Sequence, residues 1–83
     1  MEKDLYDSLR YCLHRKDLEL SLPFFTHLIA KGVLTHDQTI DEYVSKHGRA
    51  VLLTLLQRKG NRGYIAFTQA LYLTKQISIL QTM

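Results

Sequence analysis

The stretch Leu52-Leu53-Thr54-Leu55-Leu56-Gln57-Arg58-Lys59-Gly60-Asn61-Arg62-Gly63-Tyr64-Ile65-Ala66-Phe67 decides the fold of this chain. Its leucines recur at three- and four-residue spacing, which predicts an apolar helical face. A basic pair, Arg58-Lys59, ends that face, where cations complement the negative end of a helix dipole. Gly60 and Gly63 are expected to bracket a tight turn. Tyr64, Phe67 and Leu71 then repeat at three and four, giving the next helix a core-facing stripe.

Working outward, glycine and proline divide the remaining sequence into further helical pieces. Residues from about Lys3 to Lys16 carry Leu5, Leu9 and Leu13 on one face, with Asp4 and Asp7 near the start and Arg15 and Lys16 near the end. Ser21 is expected to cap a second helix with Pro23 in its first turn, Phe24, Leu28 and Ile29 as its apolar stripe and Gly32 at its end. Leu18, Leu20 and Leu22 alternate, but six residues between helices read as an irregular approach. Thr35 is expected to cap a third helix carrying Asp37, Ile40, Asp41, Tyr43 and Val44. Gly48 separates it from a fourth, Arg49 to about Lys59, whose Val51, Leu52, Leu55 and Leu56 make a face wide enough for a central position. Ile77 to Leu80 supplies a short sixth helix. The fold class expected is all-α, with residues 1–83 as a single domain.

Composition narrows the function classes. The chain has 83 residues, 46% of them hydrophobic, which argues for a packed core. One cysteine, Cys12, leaves no internal disulfide framework and fits a reducing, cytoplasmic location. No apolar run reaches the ~20 residues of a membrane span, and Met1-Glu2-Lys3-Asp4 lacks the apolar core of a signal peptide. The net charge of +3 is unevenly spread. Residues 1–42 hold eight acidic and five basic side chains, whereas residues 43–83 hold six basic ones and no acid. A chain polarised in this way can present opposite charge on different faces, which steers and orients association.

Two motifs carry a resemblance. Lys31-Gly32-Val33-Leu34-Thr35 and the run from Arg58-Lys59-Gly60 to Phe67 stand in the order and spacing of the caspase recruitment domain (CARD), a member of the death-fold superfamily. Arg62 to Phe67 resembles recruitment domains of filament-seeding scaffold proteins, and Ala70 to Gln76 those that precede initiator caspases. Pro23 and the short tail after Gln76 depart from the family pattern. The resemblance implies a six-helix antiparallel death-fold bundle with a short last helix. It also implies a protein-binding role without catalysis or cofactor, through homotypic contacts in apoptotic or inflammatory signalling. Expected partners are other CARD-containing proteins and further copies of the chain, with no small-molecule substrate and no membrane. A domain that caps such assemblies as a decoy is the alternative.

In that family a basic patch on the first and fourth helices meets an acidic patch on the second and third helices of the next copy, head to tail, so the assembly need not close. The matching basic residues here are Arg10, Lys46 and Arg49, with the arginines ranked above the lysine because a planar guanidinium holds a carboxylate bidentately. The acidic residues are Asp17, Glu19, Asp37, Asp41 and Glu42. Arg58, Lys59 and Arg62 offer a second contact surface.

Other chemistries fit less well. The basic C-terminal half suits nucleic acid, but the helix around Tyr64 to Leu73 offers only Gln69 as a donor-rich side chain for reading bases. Cys12 and His14 lie two residues apart, a spacing that does not bring side chains together on a helix, so Cys12 is expected to be a packing residue. His14, His27, His36 and His47 lack zinc-site spacing, and Gly60 and Gly63 lack the phosphate-loop pattern.

Overall fold

The computed structural model describes residues 1–35 and 48–83, and every regular element among them is a helix. They are α1 (Lys3–Leu13), α2 (Leu22–Ala30), α3 (Gly48–Arg58), α4 (Asn61–Leu73) and α5 (Ile77–Leu80). The helix expected after Thr35 falls outside the described residues. Thus α3, α4 and α5 correspond to the fourth, fifth and sixth segments expected from the sequence.

α1 has Asp4 in its first turn and Arg10 in its last, each matched to the dipole end it occupies. It buries Leu9, Cys12 and Leu13, leaves Leu5 half-buried, and ends three residues earlier than the periodicity suggests. Ser21 is the N-cap residue of α2, with extended backbone, but its side chain makes no capping hydrogen bond. Pro23, second in the helix, removes one of the two N–H groups that a capping hydroxyl normally addresses.

Gly32 ends α2 in a Schellman turn. Its φ is +77°, the Gly32 N–H donates to the Ile29 carbonyl at 3.0 Å, and the Val33 N–H donates to the Leu28 carbonyl at 3.0 Å. The reversal carries Val33 and Leu34 straight into the core, where both are buried.

Only Lys59 and Gly60 separate α3 from α4. Gly60 has φ +61° and ψ −139°, a region essentially reserved for glycine, and it serves as the N-cap of α4. Gly63 is not a turn residue as the sequence suggested. It lies in the first turn of α4, where an added Cβ would overlap the Leu56 carbonyl oxygen and sit 3.1 Å from the Leu56 Cα. The absent side chain lets the two helices approach at backbone distance.

The core unites Leu9, Phe24, Leu28, Leu52, Leu56, Phe67 and Leu71, all fully buried. The Phe24 ring meets Phe25 and Phe67 edge to face, at centroid separations of 6.0 Å and 5.5 Å. Phe25 flanks the Phe24 stripe of α2 and is buried with it, while Tyr11 and Tyr72 are exposed. Val51, expected on the apolar face of its helix, is 46% exposed. Among the described residues the central element is α4, which packs on α2, α3 and α5, whereas α3 packs on α1 and α4. The wide leucine face of α3 serves those two neighbours.

Candidate interaction surfaces

The sequence-derived basic residues occupy different environments. Arg10 is exposed on α1. Arg49 is half-buried at the start of α3, and its guanidinium is turned onto the connection between α1 and α2. Its Nη1 donates to the carbonyls of Leu13 at 3.0 Å and Arg15 at 2.9 Å, and its Nη2 donates to that of Leu18 at 2.9 Å. Leu13 ends α1, so one guanidinium satisfies a helix-terminal carbonyl and two loop carbonyls together. Arg49 therefore positions a loop within its own fold. A signal for this existed in the sequence: a cation in the first turn of a helix opposes the dipole, so it gains by reaching elsewhere. Lys46 lies outside the described residues.

On the acidic side, Asp17 is held by its neighbour. Arg15 Nε and Nη2 donate to its two carboxylate oxygens at 2.8 Å and 2.7 Å, and this pairing keeps the Asp17 carboxyl below its usual range. Arg15 Nη1 also donates to Thr82 Oγ1 at 3.2 Å, tying the loop to the C-terminal residues.

Glu19 has an exposed side chain but an engaged backbone. Its N–H donates to Gln76 Oε1 at 2.8 Å, and Gln76 Nε2 donates back to its carbonyl at 2.9 Å. Sequence reasoning passed over Arg15, Gln76 and Thr82 because these contacts join positions up to 67 residues apart. Asp37, Asp41 and Glu42 lie outside the described residues.

Arg58, Lys59 and Arg62 are all exposed around the α3–α4 turn. Arg62 reaches the α2 terminus, with Nη2 3.9 Å from the position a Cβ on Gly32 would take. That contact brings the two motif stretches onto one side of the molecule and concentrates positive charge there with exposed Lys31.

Exposed apolar side chains complete the surface: Tyr11, Leu22, Ile65, Tyr72 and Leu73 each have more than half of their area in solvent. Tyr72 and Leu73 border a concavity of about 490 Å³ beside His27 and Lys31. Cys12 is buried in the core as a free thiol, and burial pushes its pKa up, away from the reactive thiolate. No helix among the described residues is long and apolar enough to cross a membrane. Comparison with protein-family models, with curated proteins and with solved structures finds nothing that matches this chain.

Proposed function

We propose that the chain is a caspase recruitment domain, a six-helix death-fold bundle that works as a homotypic interaction module without catalytic activity. The observation that carries the reading is the work done by its two motif stretches. Gly32 reverses the chain so that Val33 and Leu34 enter the core, and Gly60 launches a helix whose Phe67 packs on Phe24. Both stretches specify an architecture, as motifs of an interaction fold should, and neither converges on a reactive group. The remaining helix of the proposed bundle would follow Thr35.

The domain would bind other recruitment domains or further copies of itself, and so gather effectors in apoptotic or inflammatory signalling. A reducing, cytoplasmic setting suits a lone buried thiol. Its charge polarity supports head-to-tail assembly, with the exposed Arg10 facing carboxylates of the next copy. Each exposed ion pair contributes only ~0.2–1 kcal/mol, but an assembly repeats it at every junction.

Light scattering and negative-stain microscopy across a salt series test this. The expected result is filaments that shorten as salt rises, with Arg10→Glu suppressing them while its helical circular dichroism stays unchanged. A wild-type chain that stays monomeric at every salt concentration and concentration of protein would refute self-assembly. Arg10 is the proper position for reversal, because altering Arg49 also releases the loop that it holds.

A further inference from the structure

The face between α1 and α3 holds a concavity of about 710 Å³ that homotypic association does not explain. Around it stand Tyr6, His14, Arg15, Lys16, Arg49 and Thr54. Its size lies within the ~300–1,000 Å³ range of small-ligand sites. Its chemistry is one-sided. Three permanently charged cations and a histidine border it, and no Asp or Glu does so among the described residues. Ala50 and Leu53 supply its accessible apolar lining, with the buried Leu13 behind them.

The cations are held in place by unequal means. Arg49 is fixed by three backbone carbonyls, so its charge stands on the wall in one orientation. One of those bonds also covers the Leu13 carbonyl at the end of α1, whose partial negative charge would otherwise oppose an anion. Arg15 is oriented by Asp17, which offsets part of its charge at the rim. His14 and Lys16 are exposed and flank Arg15 in sequence, leaving their groups available to a ligand. A cation already fixed beside flexible exposed ones favours a multiply charged anion, because the walls share one sign of charge.

We propose that this concavity is a binding site for a compact oligophosphate anion, with Lys16 and His14 closing over phosphates that Arg49 attracts. Phosphate oxygens suit the site because they accept several charge-assisted hydrogen bonds at once, including one from the Tyr6 hydroxyl; the Thr54 hydroxyl donates to the Ala50 carbonyl of its own helix. The source is either a free oligophosphate or one esterified to an apolar body that rests on Ala50 and Leu53.

The test is an amide NMR titration of the intact chain, in magnesium-free buffer at physiological ionic strength, with inorganic tripolyphosphate and, in parallel, ATP. The expected result is saturable binding with shifts concentrated at Tyr6, residues 14–16 and residues 49–54. Tighter binding of ATP assigns the esterified source, and equal affinity the free one. Lys16→Glu should weaken binding about tenfold or more, and Lys16→Gln by less. Lys31→Glu makes the same change in net charge away from the site and should leave affinity within twofold. Equal losses from Lys16→Glu and Lys31→Glu would overturn the proposal, as would shifts centred on residues 58–62. Identical behaviour with sulfate at matched ionic strength, or no saturation, would do the same. The outcome is independent of assembly: a monomer that fails to form filaments can still bind tripolyphosphate, and a filament former can fail to.

Discussion

Arg49 offers the sharpest test of how this fold is held. Replacing it with alanine removes three charge-assisted hydrogen bonds of 2.9–3.0 Å to Leu13, Arg15 and Leu18. Hydrogen bonds to charged groups contribute about 1.5–3 kcal/mol each when measured singly. They do not add here, because a released loop lets water reach the carbonyls. A loss of about 3 kcal/mol is therefore expected, from a total of roughly 4–12 kcal/mol for a chain of this length. At ~4–8 °C per kcal/mol, the melting temperature should fall by about 12–24 °C. Arg49→Lys tests geometry against charge: one ammonium cannot span three carbonyls as a fork does, so it should recover less than half of the loss. Thermal and urea denaturation followed by circular dichroism measure both variants. Amide exchange should quicken across residues 14–20 under conditions where α4 stays protected. An Arg49→Ala variant within about 1 kcal/mol of wild type, or an Arg49→Lys variant equal to it, would refute the clamp.

Four further substitutions follow from the backbone and from the loop ion pair. Gly63→Ala forces a Cβ into the Leu56 carbonyl and should cost about 3 kcal/mol in urea denaturation, whereas Gly60→Ala meets no atom within 4 Å, so its cost of roughly 1–3 kcal/mol comes from its backbone conformation alone. Lys75 is the one non-glycine residue with positive φ among those described, at +63°, so Lys75→Gly should raise stability by about 0.5–1 kcal/mol after glycine's extra unfolded-state freedom is deducted. Asp17 has a depressed folded pKa because Arg15 bonds its carboxylate; its stabilisation is present above the unfolded value of about 4 and disappears as pH falls through the folded value. The difference between wild type and Asp17→Asn, followed by denaturation from neutral pH downward, should shrink to zero over that window.

Local chemistry made much of this fold legible. Pro23 at the start of α2, Gly32 beyond its end, Gly60 between α3 and α4, and the isolated Ile77 to Leu80 turn each mark a boundary that the structure places within a residue or two. These signals are readable because each depends on a dihedral angle or a missing donor at one position. Val51 was misread because it sits at the flank of an amphipathic face, where burial depends on which neighbour covers the flank. Gly63 looked like a turn residue since no sequence pattern announces that another helix's carbonyl will press against it.

The candidate surfaces were less legible than the fold. Charge type and helix assignment located Arg10, Arg58, Lys59 and Arg62 on the exterior, where they stand. They could not distinguish a guanidinium facing solvent from one facing its own backbone. Arg49 and Arg10 look alike in sequence, and only the path of residues 13–18 past the start of α3 separates them. The concavity beside Lys16 was unreadable for the same reason, since it exists only once α1 and α3 are packed.

The connection from α1 to α2, beyond its own Arg15–Asp17 pair and the buried Leu18, is held by side chains that arrive late along the chain. Arg49 reaches back 31 to 36 residues and Gln76, at the end of α4, reaches back 57, so neither contact can form until α3 and α4 have docked. The entropy of closing those spans must be met before the bonds give any return. In kinetic terms the loop is a latch: it closes after the folding barrier is crossed and opens first on the way out. Weakening it by Gln76→Ala should leave the folding limb of a chevron plot unchanged and steepen the loss through faster unfolding. Two side chains outside the hydrophobic core thus contribute to how long the chain stays folded.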